Sequence, residues 1–329
     1  MTNEQIDAVL GLDVAKATVE AQLRQCRGEA TVRFCFSNDC AGFNKLGAVL
    51  IGHGCKKVHA GLEATGPYSQ KLALWLHQQG HQINMLNPRR VKDYARSAGT
   101  RNKSDSIDAE LIAKFIFAHL EQCRRTLWRP AKAEVAQLQG LVRRREEICV
   151  LIVAEKNRLH AATTLGVCDS VARLLDALER EKSHLDQLIA QQIRSHSTLS
   201  RNEQLLCTIT GVGRVTAAVL LAEMAGPDRV TRARQAAAHA GLSPRREQSG
   251  TSVRRNKGIG HQGNRHLRKA LYLPAVVAIK HNPLLRHFAQ RLAANGKCKM
   301  AIVCAVMRKL IHIAFGVLKH QQPFNPSLA

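Results

Sequence analysis

The composition of the chain is strongly basic. It has 329 residues, and 49 Lys and Arg against 25 Asp and Glu give a formal net charge of +24. This excess indicates a polyanionic partner, in the first place nucleic acid and in the second an anionic membrane surface. The N-terminus lacks the pattern of a secretory signal, and we expect no membrane-spanning run and no membrane partner. Ten scattered cysteines without zinc-site spacing indicate reduced thiols in a soluble, cytoplasmic protein.

The charge is unevenly distributed along the chain. Residues 1–125 have 17 basic and 12 acidic side chains, residues 126–199 have 11 and 9, and residues 200–329 have 21 and 4. A metal site built from carboxylates needs several acids, so we expect it in the N-terminal part. The C-terminal part should provide much of the phosphate binding.

The pattern of apolar residues predicts a mixed α/β domain over residues 1–125. Three strands in succession, at 8–12, 18–23 and 31–36, precede a helix at 42–50. A strand at 58–62, a helix at 68–79, a strand at 82–86 and a helix from 105 to about 119 follow. This order is typical of a mixed sheet covered by helices.

Residues 126–200 predict a helical arm. Apolar residues recur at three- and four-residue steps on both sides of an expected turn at 166–169, and charged residues fill the other positions. This pattern is typical of a helical hairpin or a short coiled coil. Such an arm usually serves dimerisation or spacing.

Residues 201–329 predict a mainly helical third domain that binds phosphate. Two apolar helices meet at Gly211-Val212-Gly213, the pattern of a helix-hairpin-helix whose amides hold phosphate, although a helix C-cap at Gly211 explains it equally well. Further on, a segment rich in glycine and cations predicts a loop that follows a nucleic-acid backbone. Its cations are Arg254, Arg255, Lys257, Arg265, Arg268 and Lys269.

Two aspartates, Asp105 and Asp108, stand three residues apart at the start of the predicted helix at 105–119. That spacing puts both carboxylates on one helix face. Like charges so close repel each other, and a hard cation such as Mg²⁺ relieves the repulsion. Arg101 and Lys103 precede the pair and suit a phosphate brought to that cation. Helix capping by Asp105, with Asp108 favoured by the helix dipole, explains the pair alone at least as well.

Two further acids follow predicted strands. Asp13 comes after the strand at 8–12 and Glu63 after the strand at 58–62, each before a turn of small residues. A single acid in such a place usually makes a turn or is solvated. Together with Asp105 and Asp108 they can meet at one end of a mixed sheet. Four carboxylates suit two Mg²⁺ ions about 4 Å apart, so the order predicts two-metal phosphoryl transfer.

Four segments resemble a known family: Gly11-Leu12-Asp13, Leu62-Glu63-Ala64-Thr65-Gly66, residues 101–109, and Ala240-Gly241-Leu242-Ser243-Pro244-Arg245-Arg246. They are similar to segments of the DEDD transposases of insertion-sequence family one-hundred-ten, relatives of the Piv pilin-inversion recombinases. The resemblance covers nearly the whole chain. It implies a RuvC-like, RNase H-fold domain over residues 1–125, a coiled-coil arm over 126–200 and a C-terminal transposase domain over 201–329.

The resemblance also implies partners and a mechanism. Donor and target DNA would be recombined under the guidance of a bridge RNA, by a dimer that becomes a tetramer in synapsis. Mg²⁺, with Mn²⁺ able to substitute, would act in a composite site together with a serine nucleophile that forms a 5′-phosphoserine. The matching serine is Ser249, although local chemistry alone would suit Ser252 or Thr251 equally. Four arginines could neutralise charge on the reacting phosphate: Arg245, Arg246, Arg254 and Arg255.

Two other functions remain open at this point. A RuvC-like junction nuclease would use the same acids to direct water at the phosphate, and Ser249 would then be structural. A non-catalytic nucleic-acid-packaging protein would explain the charge without any chemistry. The formation of a protein–DNA bond separates the first from a recombinase, and neutral substitutions of the acids test the second.

Overall fold

The structure is a computed structural model of the chain. It describes residues 6–26, 30–63, 66, 68–97, 105–224, 230–249, 253–260 and 262–326, of which residues 105–106, 245–249 and 253–257 are described by their backbone alone. The chain divides into two compact units, Met1–Pro130 and Ala131–Ala329. The second unit contains both the arm and the helical region that follows it.

The first unit is built on a five-stranded mixed sheet. Its strands are β1 (Ala8–Val14), β2 (Thr18–Gln25), β3 (Thr31–Ser37), β4 (Val58–Glu63) and β5 (Gln82–Leu86), in the order β3-β2-β1-β4-β5. Strand β2 is antiparallel to β1 and β3, whereas β4 is parallel to β1 and β5 is parallel to β4. The predicted mixed sheet is confirmed, with strand ends within two residues of those expected.

Helices cover both faces of this sheet. They are α1 (Cys40–Gly52), α2 (Tyr68–Gln78), α3 (Pro88–Ser97), α4 (Asp105–Ala118) and α5 (Leu120–Arg124). Helices α1 and α2 pack against Leu10 and Leu12 of β1, and α4 packs with Val9 on the opposite face. The apolar pattern does not predict α3, because Val91 is its single buried residue.

Two glycines allow α4 to approach the sheet closely. Gly11 of β1 and Gly61 of β4 are partners in the parallel register. A methyl group at Gly11 would lie 2.5 Å from the amide nitrogen of Ala113, and one at Gly61 would lie 2.8 Å from side-chain carbons of Ile112 and Ile116. The helix therefore lies directly on the backbone of the two central strands.

The second unit begins with the arm. Helices α6 (Ala133–Ala161) and α7 (Leu165–Arg194) pack antiparallel through Ile148, Ile152 and Leu185. The turn between them lies at residues 162–164, before the predicted position at 166–169. The predicted pair of long helices is observed, and their register is supported by the Lys156–Glu179 ion pair at 2.9 Å.

The rest of the second unit is mainly helical. It comprises α8 (Ser197–Cys207), α9 (Arg214–Glu223), α10 (Ala233–His239), the two-stranded antiparallel sheet of β6 (Pro244–Ser249) and β7 (Val253–Ile259), α11 (Arg265–His281), α12 (Pro283–Ala294) and α13 (Lys299–His320). Among the described helices, α13 is the one long and apolar enough to cross a membrane, with a mean hydropathy of 1.9 over its most apolar window. Half of that window is buried inside the protein, as in the core helix of a globular domain.

A buried ion pair fastens the arm to the helix that follows the β6–β7 hairpin. Glu223, with 1% of its side chain exposed, accepts hydrogen bonds from Arg143 of α6 at 2.6 and 3.1 Å and from Asn264 at 2.7 Å. Asn264 also caps α11 by accepting from the backbone of His266 and Leu267. Burial raises the pKa of Glu223, but the bonds from Arg143 and Asn264 outweigh burial and hold that pKa below its ordinary value.

We expect Gly11→Ala to destabilise the first unit by about 1–3 kcal/mol, because the added methyl group meets helix backbone that cannot turn away. Both tryptophans, Trp75 and Trp128, lie in this unit, so urea unfolding followed by their fluorescence measures the effect. Gly47→Ala is the control. There the methyl group makes ordinary contacts 3.6 Å from the Trp75 ring, and a helix-interior alanine should stabilise by about 0.5–1 kcal/mol. Equal effects of the two variants would contradict the close packing of α4.

We expect Glu223→Gln to destabilise the second unit by about 2–3 kcal/mol, less than a fully buried pair would lose, because Arg143 can turn to water. Since folding lowers the pKa of Glu223, the wild-type advantage is present above about pH 4.5 and is lost as the pH falls through the folded pKa. Urea unfolding followed by helical circular dichroism at pH 7 and pH 3 measures both effects. Glu179→Gln, at an exposed pair on the arm, should lower stability much less, because exposed ion pairs contribute little; a loss as large as that of Glu223→Gln would contradict the role of Glu223.

Candidate functional site

Two acids, Asp13 and Glu63, lie side by side where the neighbouring strands β1 and β4 end. We call this end of the sheet the acid edge. Asp13 and Glu63 each follow directly after the paired residues Leu12 and Leu62 of the parallel strands β1 and β4. Neighbouring strands are about 4.8 Å apart, and residues two apart along a strand share a face. Both acids therefore lie on the sheet face of Gly11, which α4 covers, and both are half-buried.

Helix α4 runs antiparallel to β1 and brings its first turn to these acids. Near the start of β1, the closest part of α4 is the turn that contains Phe117. The Phe117 ring lies 4.1 Å from the guanidinium carbon of Arg24, which is the β2 partner of Val9. Further along the strand, Gly11 faces Ala113. Two residues of strand thus correspond to about one turn of helix. The next step, to Asp13, reaches the N-terminal turn of α4.

That N-terminal turn contains the predicted aspartate pair. Asp105 is the first residue of α4, and its side chain lies outside the described part of the chain. Asp108 is half-buried in the same turn. The fold therefore brings Asp13, Glu63, Asp105 and Asp108 to one end of the sheet through their backbone positions.

The donor chemistry at this edge suits a hard cation. Carboxylate oxygens are the ligands that Mg²⁺ prefers, and half-buried acids keep part of their surface open to a substrate. Among the side chains that the structure describes, no group of three or more His, Cys, Asp or Glu is already close enough to hold a metal ion. The side chain of Asp105 is not among them. Arg101 and Lys103, predicted to bind phosphate here, also lie outside the described residues.

The predicted nucleophile lies in a β-hairpin. Ser249 is the last residue of β6 and pairs with Val253, the first of β7. Residues 250–252, and with them Ser252, lie outside the described part. Because positions alternate along strands, Arg245 and Arg255 share a face of the hairpin with Ser249, and Arg246 and Arg254 share the other. This alternation divides the four arginines that were expected to act together.

The basic segment at 254–269 is not a loop as predicted. Residues 254–259, which include Lys257, belong to β7. Residues from 265 onward belong to α11, and its first residue, Arg265, is exposed. The local sequence did not indicate the strand, because both faces of β7 contain charged or polar residues and no face is continuously apolar. Pairing with β6, which the local pattern does not contain, makes this segment a strand.

Two of its predicted phosphate-binding residues have partners within the protein. Arg268 donates hydrogen bonds to the backbone oxygens of Ala240 at 3.1 Å and Gln262 at 2.9 Å. The Nζ atom of Lys269 lies 3.0 Å from a carboxylate oxygen of Glu146 on the arm. Glu146, which is distant in sequence, therefore offsets the charge of Lys269 in a segment that has no acid of its own.

The Gly-x-Gly turn joins two helices as predicted, α8 and α9. Gly211 has a φ of 99°, and a methyl group there would lie 2.8 Å from the carbonyl oxygen of Pro274 in α11. Packing and backbone conformation thus both require a glycine at this position. Gly213 is the N-cap of α9 and has open space where its side chain would be. Phosphate binding at this turn stays a prediction.

Comparison with known proteins gives matches in both units. Residues 10–165 match a family described as "Transposase", and residues 203–290 match one described as "Transposase IS116/IS110/IS902 family". The chain is 32% identical over 323 residues to the pilin gene-inverting protein of Moraxella bovis, which covers 96% of this chain and 97% of that protein. It is 23% identical over 348 residues to the transposase for insertion sequence element IS1328 of Yersinia enterocolitica, with 96% and 98% covered.

Among solved structures, the Thermus-type RuvC described as "T. thermophilus RuvC in complex with Holliday junction substrate" matches at 11% identity with a TM-score of 0.27, covering 35% of this chain and 95% of that one. The sequence relatives decide the family, because the pilin gene-inverting protein aligns along almost the entire chain at 32% identity and the two family matches fall on separate stretches of the sequence. This chain is a member of the IS110 family of transposases.

Proposed function

We propose that this transposase is a site-specific recombinase that cuts and rejoins donor and target DNA through a covalent 5′-phosphoserine at Ser249, guided by a bridge RNA. The observation that carries the proposal is the meeting of Asp13, Glu63 and the first turn of α4 at one sheet edge. The name of the Moraxella relative, a pilin gene-inverting protein, supports DNA rearrangement as the reaction class. The net charge of +24 suits DNA and RNA as partners.

The four acids would hold two Mg²⁺ ions, with Mn²⁺ able to substitute, in a domain that we assign to the RuvC-like, RNase H-fold class. When bound, these ions supply positive charge at the phosphate that is transferred. The acids must be ionised and close together before the reaction begins, and the close packing of α4 on Gly11 and Gly61 holds their backbone positions. Only carboxylates in fixed positions keep such a charge arrangement ready before the substrate arrives.

The chemical step exchanges one ester bond for another. The Ser249 Oγ loses its proton to an acid of the cluster and forms a bond to phosphorus, while the bond from phosphorus to the 3′ oxygen of the DNA breaks. The released 3′ oxygen takes up this proton from the acid and becomes a 3′ hydroxyl, so the acid is ionised again. In the reverse step, a 3′ hydroxyl of the other DNA attacks the phosphoserine, which restores a phosphodiester and the free serine. The bond energy is conserved, so no nucleotide cofactor is needed.

The basic hairpin around Ser249 would support this step. Negative charge develops on the phosphate oxygens as serine attacks, and guanidinium groups stabilise such charge. Arg245 and Arg255 share the face of Ser249 and are the arginines that we assign to this task. Arg246 and Arg254 occupy the other face and would instead bind neighbouring phosphates. Lys257, the partner of Arg245, lies on the face of Ser249 and would bind a phosphate next to the reacting one.

Recombination of two DNA molecules requires more than one protomer. The outer half of the arm exposes several large apolar residues: Val150, Leu151, Val153, Leu165, Val167 and Leu174. Exposed apolar residues on a two-helix arm are suited to packing against a second arm. We therefore assign dimerisation to this arm and a tetramer to the synaptic state.

We expect Ser249→Ala to abolish the covalent protein–DNA adduct and to lower strand joining by at least about 1,000-fold, because no other group replaces the nucleophile. Ser252→Ala is the matched control and should keep both activities. Incubation with labelled DNA, RNA and Mg²⁺, followed by a denaturing gel, measures the adduct. A Ser249→Ala protein that still cuts DNA, together with a wild-type protein that forms no adduct, would identify a water-using junction nuclease instead.

We expect Asp13→Asn and Asp105→Asn each to lower DNA cleavage by at least about 100-fold, since each removes a charged oxygen ligand from the proposed metal site. Binding of DNA without divalent metal should remain. Glu121→Gln removes an exposed acid from the same unit and should leave cleavage unchanged. If both aspartate variants cut and join as well as the Glu121→Gln control, the protein is not a metal-dependent enzyme of this kind.

A further inference from the structure

Helix α3 is the most basic element in the described part of the first unit. Its ten residues contain four cations, Arg89, Arg90, Lys92 and Arg96, and one acid, Asp93. The whole of residues 1–125 has an excess of only five basic residues over acidic ones, so three of these five charges are concentrated on one short helix. Neither the local motifs nor the proposed reaction accounts for this concentration.

The sheet places α3 at the edge that bears the acids. Leu86, the last residue of β5, is paired with Glu63 in the parallel register. The next residue, Asn87, caps the helix by accepting a hydrogen bond from the Arg89 backbone at 2.9 Å, and Pro88 begins the helix. Helix α3 therefore starts two residues from the strand neighbour of Glu63, a distance of about 7 Å along an extended chain.

Only one side of α3 is attached to the rest of the unit. Val91 is buried, the Tyr94 ring packs edge-on against the Phe115 ring at 5.6 Å, and the guanidinium of Arg90 lies 5.2 Å from the same ring. These three contacts hold the helix on α4, the helix that carries Asp105 and Asp108. The orientation of α3 is therefore coupled to that of the acid-bearing helix.

The other side of α3 presents a row of exposed cations. Arg89, Lys92 and Arg96 stand three and four residues apart and so share one helix face. The side chains of Arg89 and Arg96 are 59% and 84% exposed, and Lys92 is exposed and has no ion-pair partner in the described part of the chain. Asp93 lies 3.7 Å from Arg89 and 3.9 Å from Arg96, so one carboxylate orients two guanidinium groups without cancelling their charge.

The length of this row suits a nucleic-acid backbone. Seven residues of α-helix separate Arg89 from Arg96, which corresponds to about 10.5 Å. Successive phosphates of one strand lie farther apart than their rise of about 3.4 Å along the helix axis, because the strand winds around it, so the flexible side chains of the row can reach about two or three of them. An acidic peptide is the alternative ligand for a row of cations. The neighbouring carboxylates would repel such a peptide, whereas DNA phosphates are the groups on which these carboxylates are proposed to act.

We propose that Arg89, Lys92 and Arg96 of α3 bind the backbone of the DNA strand next to the phosphate that reacts at the acid edge. This inference rests on the proposed function, because it takes DNA as the substrate of that edge. It assigns to α3 a positioning role: the row binds phosphates that flank the reacting one and carries no sequence information. The row thereby counteracts the repulsion between the DNA backbone and the carboxylates.

The test compares two triple variants of the full-length protein. Arg89→Gln/Lys92→Gln/Arg96→Gln removes the row and keeps good helix formers. Lys45→Gln/Lys56→Gln/Arg125→Gln removes the same charge from exposed sites elsewhere in the same unit. Binding to a DNA duplex without divalent metal is measured against salt concentration, so that catalysis does not enter, and binding to a structured RNA of similar length is measured in parallel.

We expect the α3 variant to bind the duplex about 10- to 100-fold more weakly, with the slope of log affinity against log salt reduced by about 2 to 3, since each lost phosphate contact removes about 0.9. The control should bind nearly as wild type does. Equal losses in the two variants, or a loss for RNA alone, overturn the assignment to the DNA strand. A wild-type protein that binds no DNA at all would instead contradict the proposed function.

Discussion

The close packing of α4 against the two central strands, β1 and β4, determines the arrangement of the first unit. Gly11 and Gly61 lie side by side in the parallel register, and neither leaves room for a methyl group beneath the helix. Protein interiors are close-packed and transmit such displacements, so a larger residue at either position would push the helix away from the sheet. Two of the acids lie at the ends of these strands and two lie in the first turn of the helix, so both pairs depend on this contact. Since displacements of about 1 Å can impair catalysis, the glycine contact sets the geometry of the candidate site.

In the second unit, ion pairs between residues far apart in sequence perform a corresponding structural task. Glu223 is one of only four acids after residue 199, and it binds Arg143 and Asn264 inside the protein. Glu146 of the arm similarly contacts Lys269 and His266 in the first turns of α11. These pairs connect the arm to the helix that follows the β6–β7 hairpin. They use few of the cations in this unit, and the remaining positive charge is available for nucleic acid.

In the proposed reaction, the two units would have different tasks that follow from their charge. The first unit concentrates carboxylates at one sheet edge and sets the basic helix α3 beside them, so that a polyanion can approach acids that would otherwise repel it. The second unit holds Ser249 at the end of a two-stranded sheet that contains five cations and one acid. The proposed reaction would use acids and cations together, because the nucleophile must lose a proton and the phosphate must have its charge stabilised.

The apolar pattern of the sequence predicts the five strands and the helices α1, α2 and α4 of the first unit to within two residues, and with them the positions of Asp13, Glu63, Asp105 and Asp108. Alternation along a strand and periodicity along a helix are local properties, and the family resemblance rests on local motifs. Only the tertiary structure revealed the pairing of β6 with β7, the ion pair between Glu146 and Lys269, and the place of α3 beside the acid edge. Each of these depends on contacts between residues far apart in sequence. Helix α3 has one buried residue and β7 has polar positions on both faces, so their local patterns contain no signal of the partners that give them their structure.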